Sequence, residues 1–187
     1  MTDTADRYRR VAGTFTETAR RVPVDAWDEP APCEGWVARD VVVHMVEWMP
    51  SFLADAPIEL RTGPPVADDP LGAWVALSDS LQAALDDPDV AARTFTHGQA
   101  GTHTIEAAIG MFFLGDILVH TWDLARAAGV DVTLDPDEVH GLLTGMESMD
   151  EALRASGHYG PRVVVSAEAD EQTRLLAFTG RTPDWRP

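Results

Sequence analysis

The sequence predicts a mainly all-α fold: a four-helix bundle with a long crossover, an extra C-terminal helix and a short extended tail segment. Three observations predict it. Apolar residues recur at steps of three and four along five separate segments, the signature of helices with one buried face. A stretch with five prolines, from Pro50 to Pro70, carries no sustained period and has the length that a bundle crossover needs. A chain of 187 residues that is 45% hydrophobic fills one core and is short for two, so residues 1–187 are expected to form a single domain.

In the first helix, over about residues 4–22, Tyr8, Val11, Phe15, Ala19 and Val22 share one face. The turn-rich PVDAWDEPAPCEGW follows. A second helix, about 37–54, has Val37, Val41, Met45, Trp48 and Phe52 on one stripe, with Pro50 expected to kink or end it. After the crossover, Leu71, Trp74, Val75, Ser78, Leu81 and Leu85 mark a third helix that DDPD stops. The fourth and most apolar runs from about 104 to 128, follows a loop from His97 to Thr104, and ends at Gly129 in the manner of a glycine cap. A fifth helix, about 134–157, turns Val139, Leu142, Met146, Met149 and Leu153 inward. Val163 to Val165 is expected to be extended, Glu171 to Phe178 helical, and GRTPDWRP a turn.

The formal charge is −17, from 31 acidic against 14 basic residues, and every basic residue is arginine. Such a surface repels phosphate backbones and anionic lipid, so neither a nucleic acid nor a membrane is an expected partner. Cys33 is the single cysteine, which excludes an intrachain disulfide. With no apolar leader core at the start, a cytoplasmic location is the expectation. A homodimer is compatible with the sequence and is not specified by it.

The fourth helix contains GDILVHTWDLARAAG, and there the chemistry lies. At 100° per residue, Ile105, Ile109, Phe112, Asp116, His120, Asp123 and Ala127 fall within an arc of about 80°. Polar residues thus occupy the apolar stripe. An unpaired buried carboxylate costs several kcal/mol, and no Lys or Arg occurs between Arg93 and Arg126. His120 is the local partner for Asp116, and His44 on the second helix faces the same interior. Two readings stand on spacing alone: a buried hydrogen-bonded network, or a metal held by His44, Asp116 and His120. Two imidazoles and a carboxylate fit zinc with an open fourth position, and also the non-haem iron triad; zinc is preferred because nothing specifies oxygen chemistry.

Around this trio, Asp40 is either an acceptor behind His44 or a first-turn acid favoured by the helix dipole. Asp123 is read as pairing with Arg126, binding a polar cofactor group or orienting a ligand. Trp48, Trp36 and Phe112 are read as pocket wall or plain core. Cys33, in PAPCEGW, has no partner marked for catalysis, and His97, His103, His140 and His158 are read as loop or surface residues, the first two within reach of a pocket mouth.

PAPCEGWVARDVVVHMVEW, GDILVHTWDLARAAG and LLAFTGRTPDW together resemble the mycothiol-dependent maleylpyruvate isomerase N-terminal-domain family, within the DinB-like metal-binding bundles. The resemblance spans residues 8–185. It implies a divalent metal, often zinc, at His44, Asp116 and His120. It also implies a low-molecular-weight thiol cosubstrate, with mycothiol expected, whose metal-bound thiolate is the nucleophile toward a small electrophile. Asp123 and Trp48 are then expected near that cosubstrate. The isomerases of this family have glutamate where this chain has Asp116, and carry a further C-terminal domain, so their specific reaction is not carried over. The expected function is metal-dependent S-transfer or isomerisation. The alternatives are a non-catalytic ligand-binding bundle and a hydrolase with a metal-bound water.

Overall fold

The structure, a computed structural model, describes residues 3–155 and 160–187. Four long helices form the bundle: α1 (Asp3–Arg20), α2 (Ala38–Phe52), α3 (Pro70–Asp86) and α6 (Leu114–Ala127). Helix α1 packs against α3 and α6, and α2 packs against the same two, so the four close a ring around one core. Residues 53–69 make the long crossover from α2 to α3.

Aspartate-proline starts recur. Asp69 accepts from the Gly72 N–H at 2.8 Å ahead of Pro70; Asp87 does the same for the short α4 (Pro88–Ala91), and Asp135 for α7 (Pro136–Ser148). Each carboxylate satisfies N–H groups that a helix start leaves open, and each proline supplies the helical φ without losing a needed donor. Part of the acidic excess is therefore capping chemistry. Helix α6 ends where Gly129 takes φ +66° and Val130 N–H reaches back to the Ala125 carbonyl at 2.9 Å.

Inside the ring, Tyr8, Phe15, Met45, Met49, Trp74, Phe113, Ile117 and Trp122 are fully buried. Phe15 and Trp74 pack at 4.5 Å between centroids, and the Trp74 N–H donates to Thr16 at 2.8 Å, so the indole is buried without an orphaned donor.

Four local features differ from the sequence expectation. Where a loop is expected from His97 to Thr104, there is a hairpin, β1 (Thr94–His97) with β2 (Gly101–Thr104), registered Thr94 to Thr104 and His97 to Gly101. Two four-residue strands are too short for period two to stand out. The fourth helix is not uniform: α5 (Ile105–Ala108) passes through a π-helical segment, Ile109–Phe113, into α6. That wider turn shifts the phase, so Phe113 is buried and Phe112 only half-buried. The fifth helix breaks into α7 and α8 (Asp150–Ala155) at Met149, which is 54% exposed rather than inward. Residues 163–165 form no strand; Val163 N–H makes a single bond to the Ala177 carbonyl of α9 (Glu171–Phe178). His158 lies outside the described residues.

The run Ile105–Ala127 is long and apolar enough to cross a membrane by length and composition. Here its α6 part is one of the four bundle helices, packed by α1 and α2.

Candidate metal centre

Asp116 and His120 sit one turn apart on α6, and His44 on the facing α2 completes the group. One ligand atom from each lies within 4.8 Å of the other two. His44 Nε2 is 3.3 Å from Asp116 Oδ2, and His120 Nε2 is 3.6 Å from Asp116 Oδ1. Metal–ligand bonds of about 2.0–2.1 Å in a tetrahedron place neighbouring donors about 3.3 Å apart, so the residues present fit a divalent ion of the zinc type. His44 and Asp116 keep 28% and 26% of their side-chain surface exposed, so the trio opens to solvent on their side. A surface cavity of about 650 Å³, bordered by Ile58, Arg61, Ser80 and Arg93, lies away from it.

Asp116 has more partners than the sequence disclosed. The Trp48 indole N–H, one turn beyond His44, donates to Asp116 Oδ2 at 3.0 Å. Burial pushes the Asp116 carboxyl up, but the two histidines and this N–H outweigh it and hold the group below its ordinary value. Trp48 is thus both wall and donor, its ring stacked 5.9 Å from His44. Phe52 lies 5.9 Å beyond it, with His97 stacked on Phe52 at 4.3 Å and Phe112 at 4.8 Å. His103 meets the edge of Phe112.

On its other side, His120 Nδ1 is 2.8 Å from Asp123 Oδ2. The contact is an ion pair whose oxygen lies off the ring N–H axis, since the nitrogen makes no well-aligned hydrogen bond. Burial would lower the His120 pKa, but the charges of Asp116 and Asp123, with Cys33 also bonded, raise it from 6.5 to about 10. Trp36 covers the ring, stacked at 5.7 Å and 9°.

The partner of Asp123 is Arg181, not Arg126. Arg181 NH2 reaches Asp123 Oδ2 at 2.8 Å and its Nε reaches Oδ1 at 3.3 Å. Arg126 turns away, its guanidinium over the Trp122 ring at 5.3 Å and 3.8 Å from Asp131. Asp123 is fully buried; burial raises its pKa, but His120 and Arg181 bring it down to about 2. No free carboxylate edge remains there to meet a cosubstrate.

Cys33 is the other residue the sequence undervalued. Its Sγ lies 3.4 Å from Asp123 Oδ2 and 3.5 Å from Arg181. Cys33, His120 and Asp123 therefore form a second group of metal-ligand type. It fits a cation less well, because Arg181 already neutralises Asp123. Asp40 accepts from the Val37 N–H at 2.9 Å, which makes it the first-turn acid of α2. His140 is exposed and pairs with Glu171.

The family model described as mycothiol maleylpyruvate isomerase N-terminal domain matches residues 8–125, which include the whole trio. Two uncharacterized proteins of Mycobacterium tuberculosis, from strains H37Rv and CDC 1551, are each 29% identical over 188 residues, covering 94% of this chain and 96% of the relative. No solved structure matches significantly.

Proposed function

Because the chain belongs to the mycothiol maleylpyruvate isomerase N-terminal domain family, we propose that it is a metal-dependent enzyme acting with a low-molecular-weight thiol. Mycothiol is the expected cosubstrate, and the reaction is S-transfer to, or isomerisation of, a small electrophile. His44, Asp116 and His120 would hold the divalent ion, with zinc preferred for a nitrogen and oxygen set. The observation that carries the reading is the convergence of these three side chains from two helices, open on one side.

A divalent ion there supplies Lewis acidity, which brings a coordinated thiol well below its free pKa of about 8.5. The remaining work falls to the chain. Asp116 contributes one negative charge, leaving a divalent charge half-compensated and so favouring an anionic ligand over a second cation. The Trp48 N–H fixes which Asp116 oxygen is engaged. Trp36 shields the His120 ring from water. The aromatic run Trp48, Phe52 and Phe112 gives an apolar flank to an electrophile approaching from the exposed side.

The test is consumption of a panel of small electrophiles by zinc-loaded protein, with and without mycothiol. Turnover that requires the thiol and disappears in His120→Ala supports the reading. Thiol-independent hydrolysis would replace it with a metal-bound water, and no turnover under either condition would favour a binding module.

A further inference from the structure

The C-terminal tail reaches back to the centre through one side chain. Helix α9 ends at Phe178; Gly180 takes φ +89°, and Arg181 N–H bonds the Leu176 carbonyl at 2.9 Å, the six-to-one closure of a left-handed cap. This turn sends Arg181 into the bundle, where it pairs with Asp123, 58 residues earlier in the chain. We propose that Arg181 and Asp123 are positioning residues that set the orientation of His120, so that the tail tunes the affinity of the metal site without touching it.

Burial and geometry carry the inference. Asp123 is fully buried and both its oxygens are engaged, Oδ1 by Arg181 and Oδ2 by Arg181 and His120. A buried carboxylate with a single imidazole beside it would be free to swing; a guanidinium gripping both oxygens fixes its plane. The imidazole is then located twice, by Asp123 at Nδ1 and by the parallel Trp36 ring against its face. With these fixed, Nε2 points toward Asp116. A charged carboxylate held against the far nitrogen of a ligating histidine restrains where that ring sits, and such partners are worth about 10–100-fold in metal affinity. Arg181 extends that arrangement by one residue, into a part of the chain beyond the matched family region.

The proposal rests on His44, Asp116 and His120 as the metal site. The experiment is zinc affinity by competition with a chromophoric chelator, on full-length wild type, Asp123→Asn, Arg181→Gln and Arg181→Lys, with cobalt spectra as a second readout of ligand geometry. Arg7→Gln is the control, because it breaks a comparable two-point pair, with Glu138 at 2.7 and 2.8 Å, that shares no residue with the trio or with Asp123 and Arg181. Expected is a loss of about 10–100-fold in Asp123→Asn and Arg181→Gln, a changed cobalt spectrum, partial recovery in Arg181→Lys, and unchanged affinity in Arg7→Gln. Should Arg181→Gln not fold, Asp123→Asn and Arg181→Lys carry the same comparison. Near-wild-type affinity in the folded variants overturns the proposal, as does an equal loss in Arg7→Gln. A wild type that binds no zinc overturns the metal site itself, and this proposal with it.

Discussion

His120 stands between two carboxylates on its own helix, with Nε2 3.6 Å from Asp116 and Nδ1 2.8 Å from Asp123. One ring therefore belongs to both groups of ligand-type side chains, and the two nitrogens divide the labour. The solvent-open side carries Asp116 and His44, while the buried side carries Asp123, Arg181 and Cys33. Each of the following expectations depends on that division.

If the open side holds the metal, Cys33 is dispensable for binding. Cys33→Ala is expected to keep zinc stoichiometry and affinity close to wild type, while Asp116→Ala loses binding. Cobalt-substituted protein should lack the intense sulfur-to-metal absorption that a thiolate ligand gives. Zinc loss in Cys33→Ala would move the site to Cys33, His120 and Asp123.

Protonation sets a pH dependence with a definite sign. In chelator-stripped protein His120 has its pKa raised from 6.5 to about 10, so its pairing stabilises the fold fully below about 6.5 and is lost as pH rises through about 10. Asp123, lowered from 3.8 to about 2, stabilises above about 3.8, and that contribution is lost as pH falls toward 2. A metal must displace the His120 proton, so zinc binding tightens with rising pH and releases about one proton from this residue at pH 7. Calorimetry in buffers of different ionisation enthalpy measures the release. Buffer-independent heats would contradict it.

Trp48→Phe keeps one aromatic ring against its neighbours but deletes the N–H that donates to Asp116, together with part of the indole's packing surface. Hydrogen bonds to charged groups contribute about 1.5–3 kcal/mol, and Asp116 is partly open to water that can replace the donor, so a loss of about 1 kcal/mol is expected. Urea unfolding of stripped protein checks this. No change in the midpoint would show that the indole serves as wall alone.

Phe113, at the end of the π segment, is fully buried among the core aromatics and 5.1 Å from Trp48. Phe113→Ala is expected to cost about 3–5 kcal/mol, and Phe112→Ala, half-buried, clearly less. The opposite ranking in thermal or urea unfolding would restore the phase of an uninterrupted α-helix.

The sequence made the trio legible because helical spacing stacks Asp116 and His120, and because buried polar groups demand partners. His44 followed from its own stripe on α2. What spacing could not show is contact between distant segments. Arg181 is 58 residues from Asp123 and Cys33 is 90, and in each the only local trace is a turn, TGR or PCEG. Arg126 is the basic residue that proximity in sequence offers Asp123, and proximity says nothing of Arg181. Helical spacing places the Trp48 ring on its stripe but does not show where its N–H points. The π segment was invisible for a different reason: a widened turn leaves the pattern of apolar residues intact on either side and changes only their phase.

Zinc titration of chelator-stripped protein, with wild type beside His44→Ala and His120→Ala, tests the metal centre most directly. Wild type should take up about one ion per chain at a tight site, and both variants should lose it while still unfolding cooperatively. Folded wild type that takes up no zinc, or variants that bind it as well as wild type does, would contradict the account.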